Sequence, residues 1–288
     1  MTYWGKTMSA MAEAAPAAPN KLPFWRTLGE AYGVWFKNLP ELVGIAWIWM
    51  LVMAPIIGLY MWWQAPALIE LMQNARTGRL DPNPGMTALA QAINVLIMLP
   101  ILSSIAVAWH RLLLRDEHVG GRYLRLDSVV IGYAVLFFLI ALLFQVPSFL
   151  SQTYVAMTQP PGATANDIDL ATIGVQFVGS ILTILGLFFG CRLLLVLPAK
   201  ALERDISFGT SWAATRKNSW RLFWGYMLSL LPFAAIAGGI GWWIGMAQPS
   251  RGVAAGIWTV VTVLWALFAM VGVGFLSLAY RHFFERPA

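Results

Sequence analysis

The sequence predicts an all-α polytopic membrane protein: six transmembrane helices in three hairpins, with extra helices on the cytoplasmic surface. Three observations predict it. First, six apolar runs lie at roughly 42–63, 88–109, 129–150, 172–197, 222–246 and 253–280. Each supplies the ~20 residues a helix needs to cross a ~30 Å hydrocarbon layer. Second, hydrophobic residues make up 59% of the chain and charged residues 11%, with a mean hydropathy of +0.68. Soluble domains carry about 25% charged residues. Third, Lys and Arg are sorted by loop, with sixteen of the nineteen falling on one side of the predicted spans. Without water in the bilayer, each run must satisfy its own backbone as a helix.

Residues 1–22 open the chain. They are Pro- and Ala-rich, lack the apolar core of a signal peptide, and are expected to form a disordered cytoplasmic tail. The segment 24–39 follows. At 100° per residue Phe24, Leu28, Tyr32, Trp35 and Leu39 fall on one stripe, with Trp25 and Phe36 on its flank and Arg26, Glu30 and Lys37 opposite. That pattern predicts an interfacial helix in the headgroup plane, ended by Pro40.

The remaining elements alternate across the bilayer. The loop after span 2 carries Arg111, Arg115, Arg122 and Arg125. The segment after span 4 carries Arg192, Lys200, Arg204, Arg216, Lys217 and Arg221, and the C-terminus carries Arg281 and Arg286. Lys6, Lys21, Arg26 and Lys37 share that side; Arg76, Arg79 and Arg251 stand opposite. The positive-inside rule places both termini in the cytoplasm. The net charge of +6 is therefore a topology signal, and nucleic acid is excluded as a partner. The outer connections, including DPNPG at 81–85 and QPPGATANDID at 159–169, are too short for separate domains. A second interfacial helix is expected over 201–219, so that 23–288 forms one transmembrane domain.

The cytoplasmic segments echo one another. A shift of 180 residues places 27–43 on 207–223, matching Gly29 with Gly209, Lys37-Asn38 with Lys217-Asn218, and Leu42 with Leu222. RLLL at 111–114 recurs at 192–195. These matches predict hairpins of one orientation about an axis along the membrane normal.

Catalytic signatures are missing from the pattern. There is no phosphate-binding glycine loop, no HExxH, no GxSxG and no metal-spaced Cys/His set. The expectation is a non-enzymatic protein with no cofactor and no metal. The spans also lack Asp, Glu and Lys, which counts against ion-coupled transport. His110 and His282 are expected as interfacial anchors, Cys191 as a small buried residue, and Trp109 as one of several Trp at the headgroup level. Arg192 stands inside the boundary, either as a structural anchor or as a lipid-phosphate contact. The candidate headgroup contacts are Arg192, Arg111, Trp25, Trp35, Arg26, Lys37 and Arg221. The candidate polar cavity, the basis of an alternative transporter reading, is Asn94, Ser103, Ser104, Gln145 and Gln176. Membrane lipids are the expected partners, with a protein partner in the membrane or on the cytoplasmic face as a further one.

The segment CRLLLVLPAKALERDISFGTSWAATRKNSWRLFWG (191–225) resembles the membrane domain attached to some bacterial glycerophosphodiester phosphodiesterases and related stand-alone six-span proteins. Arg192, Pro198-Ala199, Glu203 and Asn218-Ser219-Trp220-Arg221 carry the likeness, and Lys200 departs from its usual apolar residue. The catalytic domain of those enzymes has no counterpart here, so the resemblance implies a membrane-embedded, lipid-related role and no hydrolase activity.

Overall fold

A computed structural model describes residues 21–77, 84–118, 125–158 and 169–285. Residues 1–20 of the expected tail, 81–83 of the DPNPG turn, the stretch 159–168, and Lys6, Arg79, Arg122 and Arg286 lie outside them. Among the described residues the chain is all-helical, with no strand. The order is α1 Phe24–Lys37, α2 Leu39–Thr77, α3 Pro84–Arg115, α4 Ser128–Thr158, α5 Leu170–Leu193, α6 Val196–Ala201, α7 Phe208–Ala214, α8 Ser219–Ala247 and α9 Arg251–Tyr280. A π-helical turn, Arg281–Glu285, continues α9. Six of these, α2, α3, α4, α5, α8 and α9, are long and apolar enough to cross a membrane. The chain is a multi-pass membrane protein.

Local chemistry sets the helix starts. The Asp127 carboxylate accepts the Val129 and Val130 amides, capping α4. Asp169 accepts the Thr172 amide at the start of α5, and Ser207 accepts the Thr210 amide at the start of α7. Each cap satisfies donors that the first helical turn leaves without a partner.

Packing is concentrated at one end, where α1, α6, α7 and the basic residues gather. The largest fully buried side chains there include Trp109, Tyr280, Phe275, Leu195, Leu197 and Leu222. We call this the basic end. Helix α9 is the hub, packed against α1, α2, α3 and α8. Half of the apolar window of α3 is buried (50%), but only 11% of that of α5, so the α4–α5 hairpin is the flank most open to lipid.

Glycines let the helices close. The ring of Phe275 occupies the space a Cβ at Gly225 would need, locking α9 onto α8. Gly179, Gly186 and Gly190 form the α5 face that meets α4. A Cβ at Gly186 would fall on the carbonyl oxygen of Leu143. That carbonyl is the one left without a helical donor by Pro147, four residues on, so the kink supplies an acceptor against which the Gly186 Cα–H lies. Such small-residue contacts drive helix association where the hydrophobic effect cannot.

Helix α1 departs from the sequence expectation. Leu22, assigned to the disordered tail, is fully buried; its amide donates to Asn218 Oδ1 at 2.9 Å and its carbonyl accepts from Arg221. From there α1 packs against α8 and α9. The Tyr32 hydroxyl donates to Leu228 O at 2.9 Å, and Trp35 Nε1 to Leu267 O at 2.9 Å. Leu228 lies nine residues into α8, about 14 Å at 1.5 Å per residue. The aromatic stripe therefore meets protein. The wheel gave the stripe correctly, but helical periodicity does not distinguish a lipid face from a protein face.

The Tyr32 contact is again a use of a proline. Pro232 removes the donor for Leu228 O, and Tyr32 replaces it. Tyr32→Phe is expected to cost about 1 kcal/mol, the net value of one hydrogen bond, and less in a Pro232→Ala background where the helix reclaims its carbonyl. Thermal melts of the four-member cycle check this; equal costs in both backgrounds would sever Tyr32 from the kink.

Candidate functional site

The basic end carries most of the polar side-chain chemistry of the chain. Helix α6 ends as a Schellman turn: Glu203 N–H reaches Lys200 O and Arg204 N–H reaches Ala199 O. That geometry puts Glu203 in the left-handed region, φ 59°. Glycine would adopt it freely. Here the Glu203 carboxylate is instead fixed by an ion pair with Arg111. Arg111 Nε also donates to Ala201 O at 2.8 Å, and Arg115 donates to Leu202 O. Two arginines of α3 thus cap the open carbonyl end of α6, where positive charge is favoured.

Arg192 does the same for α7. Its Nε donates to Thr215 Oγ1 at 3.1 Å, a second nitrogen donates to Trp212 O, and the guanidinium lies 3.6 Å from the centre of the Trp212 ring. Ser211 Oγ returns a bond to Arg192 O at 2.6 Å. Arg192 thus ties α5 to α7 by hydrogen bonds and a cation–π contact.

A third cluster joins α3, α4 and α9. His110 is fully buried, 2.7 Å from Ser277 Oγ through Nδ1 and 3.2 Å from Tyr133 OH through Nε2. It is not the interfacial anchor its span-end position suggested, but a helix-bridging residue. Trp109 beside it is likewise buried, with Nε1 donating to Met270 O at 3.0 Å. Cys191 is buried as expected.

The candidate headgroup residues divide sharply. Arg192, Arg111 and Trp35 are buried and bonded to protein, and Arg221 binds the Leu22 carbonyl. Of these arginines it is Arg111 that pairs with Glu203. Trp25 is 74% exposed, and Arg26 and Lys37 are exposed on the same helix, Arg26 in an ion pair with Glu30. Trp212, Trp220 and Trp224 are exposed near the start of α8, next to exposed Arg216 and Lys217.

The residues of the candidate polar cavity lie on three helices, α3, α4 and α5. Ser104 accepts from Trp49 Nε1 at 3.1 Å, and Ser103 is buried on the same helix. Gln145 sits exposed on α4, Gln176 on α5 is half-buried, and Asn94 on α3 is half-buried with its Oδ1 unbonded. The sequence reading missed Thr215 and Ser277, and met Asn218 only in the repeat and the likeness; all three are buried polar groups. Among the described residues no group of three His, Cys, Asp or Glu is placed to hold a metal.

Compared with protein-family models, curated proteins and solved structures, the chain matches none.

Proposed function

We propose that this chain is a non-enzymatic protein of the bacterial inner (plasma) membrane, with both termini cytoplasmic, that organises lipids and membrane partners around its basic end. The observation that carries this reading is the belt of exposed Trp25, Trp212, Trp220 and Trp224 beside exposed Arg26, Lys37, Arg216 and Lys217. Amphipathic rings and cations in this arrangement match a headgroup layer with anionic lipid. The buried arginines serve a different end: they make the platform rigid, so that the exposed belt is presented in fixed geometry. The likeness of 191–225 to the membrane domain of the phosphodiesterases supports the same lipid setting.

Two measurements test the reading. In a Cys191→Ala background, Thr158→Cys is expected to label with an impermeant thiol reagent on intact cells, and Leu126→Cys is not. The reverse pattern would overturn the orientation. The chain purified in native nanodiscs is expected to retain defined phospholipids by mass spectrometry through a lipid-exchange wash. Complete exchange to bulk composition would sink the lipid-organising role.

A further inference from the structure

A cavity of about 350 Å³ opens at the basic end between α4 and the segment from α6 to α7. Its size lies within the ~300–1,000 Å³ range of small-ligand sites. One wall is apolar: Gly132, Val135 and Leu136 of α4, with Val196 of α6. The other brings in Lys200 and Asp205.

The lysine is held in place. A Cβ at Gly132 would lie 2.5 Å from Lys200 Cε and 3.2 Å from Nζ. The missing side chain is thus a notch in which the lysine stem rests. This is the snorkelling geometry of a long cation, with its stem on apolar surface and its head directed to a polar boundary. Among the described residues the Lys200 ammonium has no ion-pair partner, and neither has the Asp205 carboxylate; the two are not paired with each other. Arg204, beside them, is taken by Glu285 at 2.8 Å and by the Tyr280 hydroxyl at 3.4 Å. Arg204 lines the cavity as well but is engaged, so Lys200 and Asp205 are the cation and the carboxylate of its lining that have no ion pair among the described residues. The apolar wall runs on along α4 into exposed Ile131, Phe138 and Leu139.

We propose that this cavity is a site for a zwitterionic aminophospholipid, with Lys200 receiving the phosphodiester, Asp205 the primary ammonium, and α4 one acyl chain. The proposal rests on the lipid-facing reading of the basic end and names the lipid class it selects. A headgroup with net negative charge meets the Asp205 carboxylate and is disfavoured. A choline headgroup has no N–H to donate to it. A phosphoethanolamine headgroup matches both charges, and charge-assisted hydrogen bonds are the strong ones.

The test uses the full chain in nanodiscs of equal phosphatidylethanolamine, phosphatidylcholine and phosphatidylglycerol, with tightly retained lipid measured by mass spectrometry. Wild type is expected to retain phosphatidylethanolamine preferentially. Lys200→Gln should lower that retention about tenfold, as for one lost hydrogen bond to a charged group. Its melting temperature in detergent should not change, and Lys200→Arg should restore retention. Asp205→Asn should abolish the preference and raise phosphatidylglycerol. If wild type retains phosphatidylethanolamine and Lys200→Gln retains it equally, this site is wrong while the lipid role stands. Preference for phosphatidylglycerol in wild type would also overturn it. No retained lipid in wild type would sink both.

Discussion

Gly186→Leu is expected to lower stability more than any other single apolar substitution on α5, by about 3 kcal/mol, the upper range for overpacking a close contact. The reason is what a side chain there would strike. Most glycine contacts in the bundle face side chains that can turn aside. Gly186 faces the Leu143 carbonyl and the backbone of Phe144, which cannot move without shifting α4. Since α5 is the least buried span and leans chiefly on α4, separating the pair removes most of what places it. Gly174, on the same helix with open space around it, is the control: Gly174→Leu should be near neutral. Thermal unfolding of both variants in one detergent decides the matter. Equal melting temperatures would show that α5 is not positioned by this contact.

The proline–glycine pairing explains why so much of the architecture was legible and some was not. The six spans followed from length and apolarity, because the bilayer fixes both. Pro147 and the four-residue spacing of Gly186 and Gly190 stand in the sequence, but nothing local says which helix a freed carbonyl will face. The second interfacial helix shows the same limit. One helix was expected over 201–219, yet α6 stops at Ala201 and α7 runs only Phe208–Ala214. The stop is made by Arg111 and Arg115, ninety residues earlier, capping Ala201 and Leu202. Span 4 likewise breaks after Leu193 instead of reaching 197, because Arg192 turns its carbonyl and guanidinium to α7. Positions of charge were legible; their partners were not. A cation near a span end looks alike in sequence whether it meets a phosphate or a helix carbonyl.

That ambiguity makes Arg111 the most informative charge to remove. Arg111→Leu is expected to cost about 2–3 kcal/mol, the range for hydrogen bonds to a charged group. It leaves Ala201 O without its donor and frees Glu203 from the ion pair that helps hold its positive-φ turn. The carboxylate side contributes less. Glu203 and Glu117 are both well exposed, so solvent weakens those ion pairs, and Glu203→Gln should cost no more than ~1 kcal/mol. Arg111→Lys should fall between, since an ammonium can reach one acceptor but lacks the fork that serves the carbonyl and the carboxylate together. The sequence alone favoured a headgroup role for this residue, and the two roles differ in one observable. A carbonyl cap stabilises the chain equally in detergent, in zwitterionic nanodiscs and in anionic nanodiscs. A phosphate anchor stabilises it only where anionic lipid is present. Melting temperatures of wild type and Arg111→Leu should therefore differ by the same amount in all three. A difference that appears only with anionic lipid would return Arg111 to the membrane surface and remove the support on which α6, Lys200 and the cavity beside them are built.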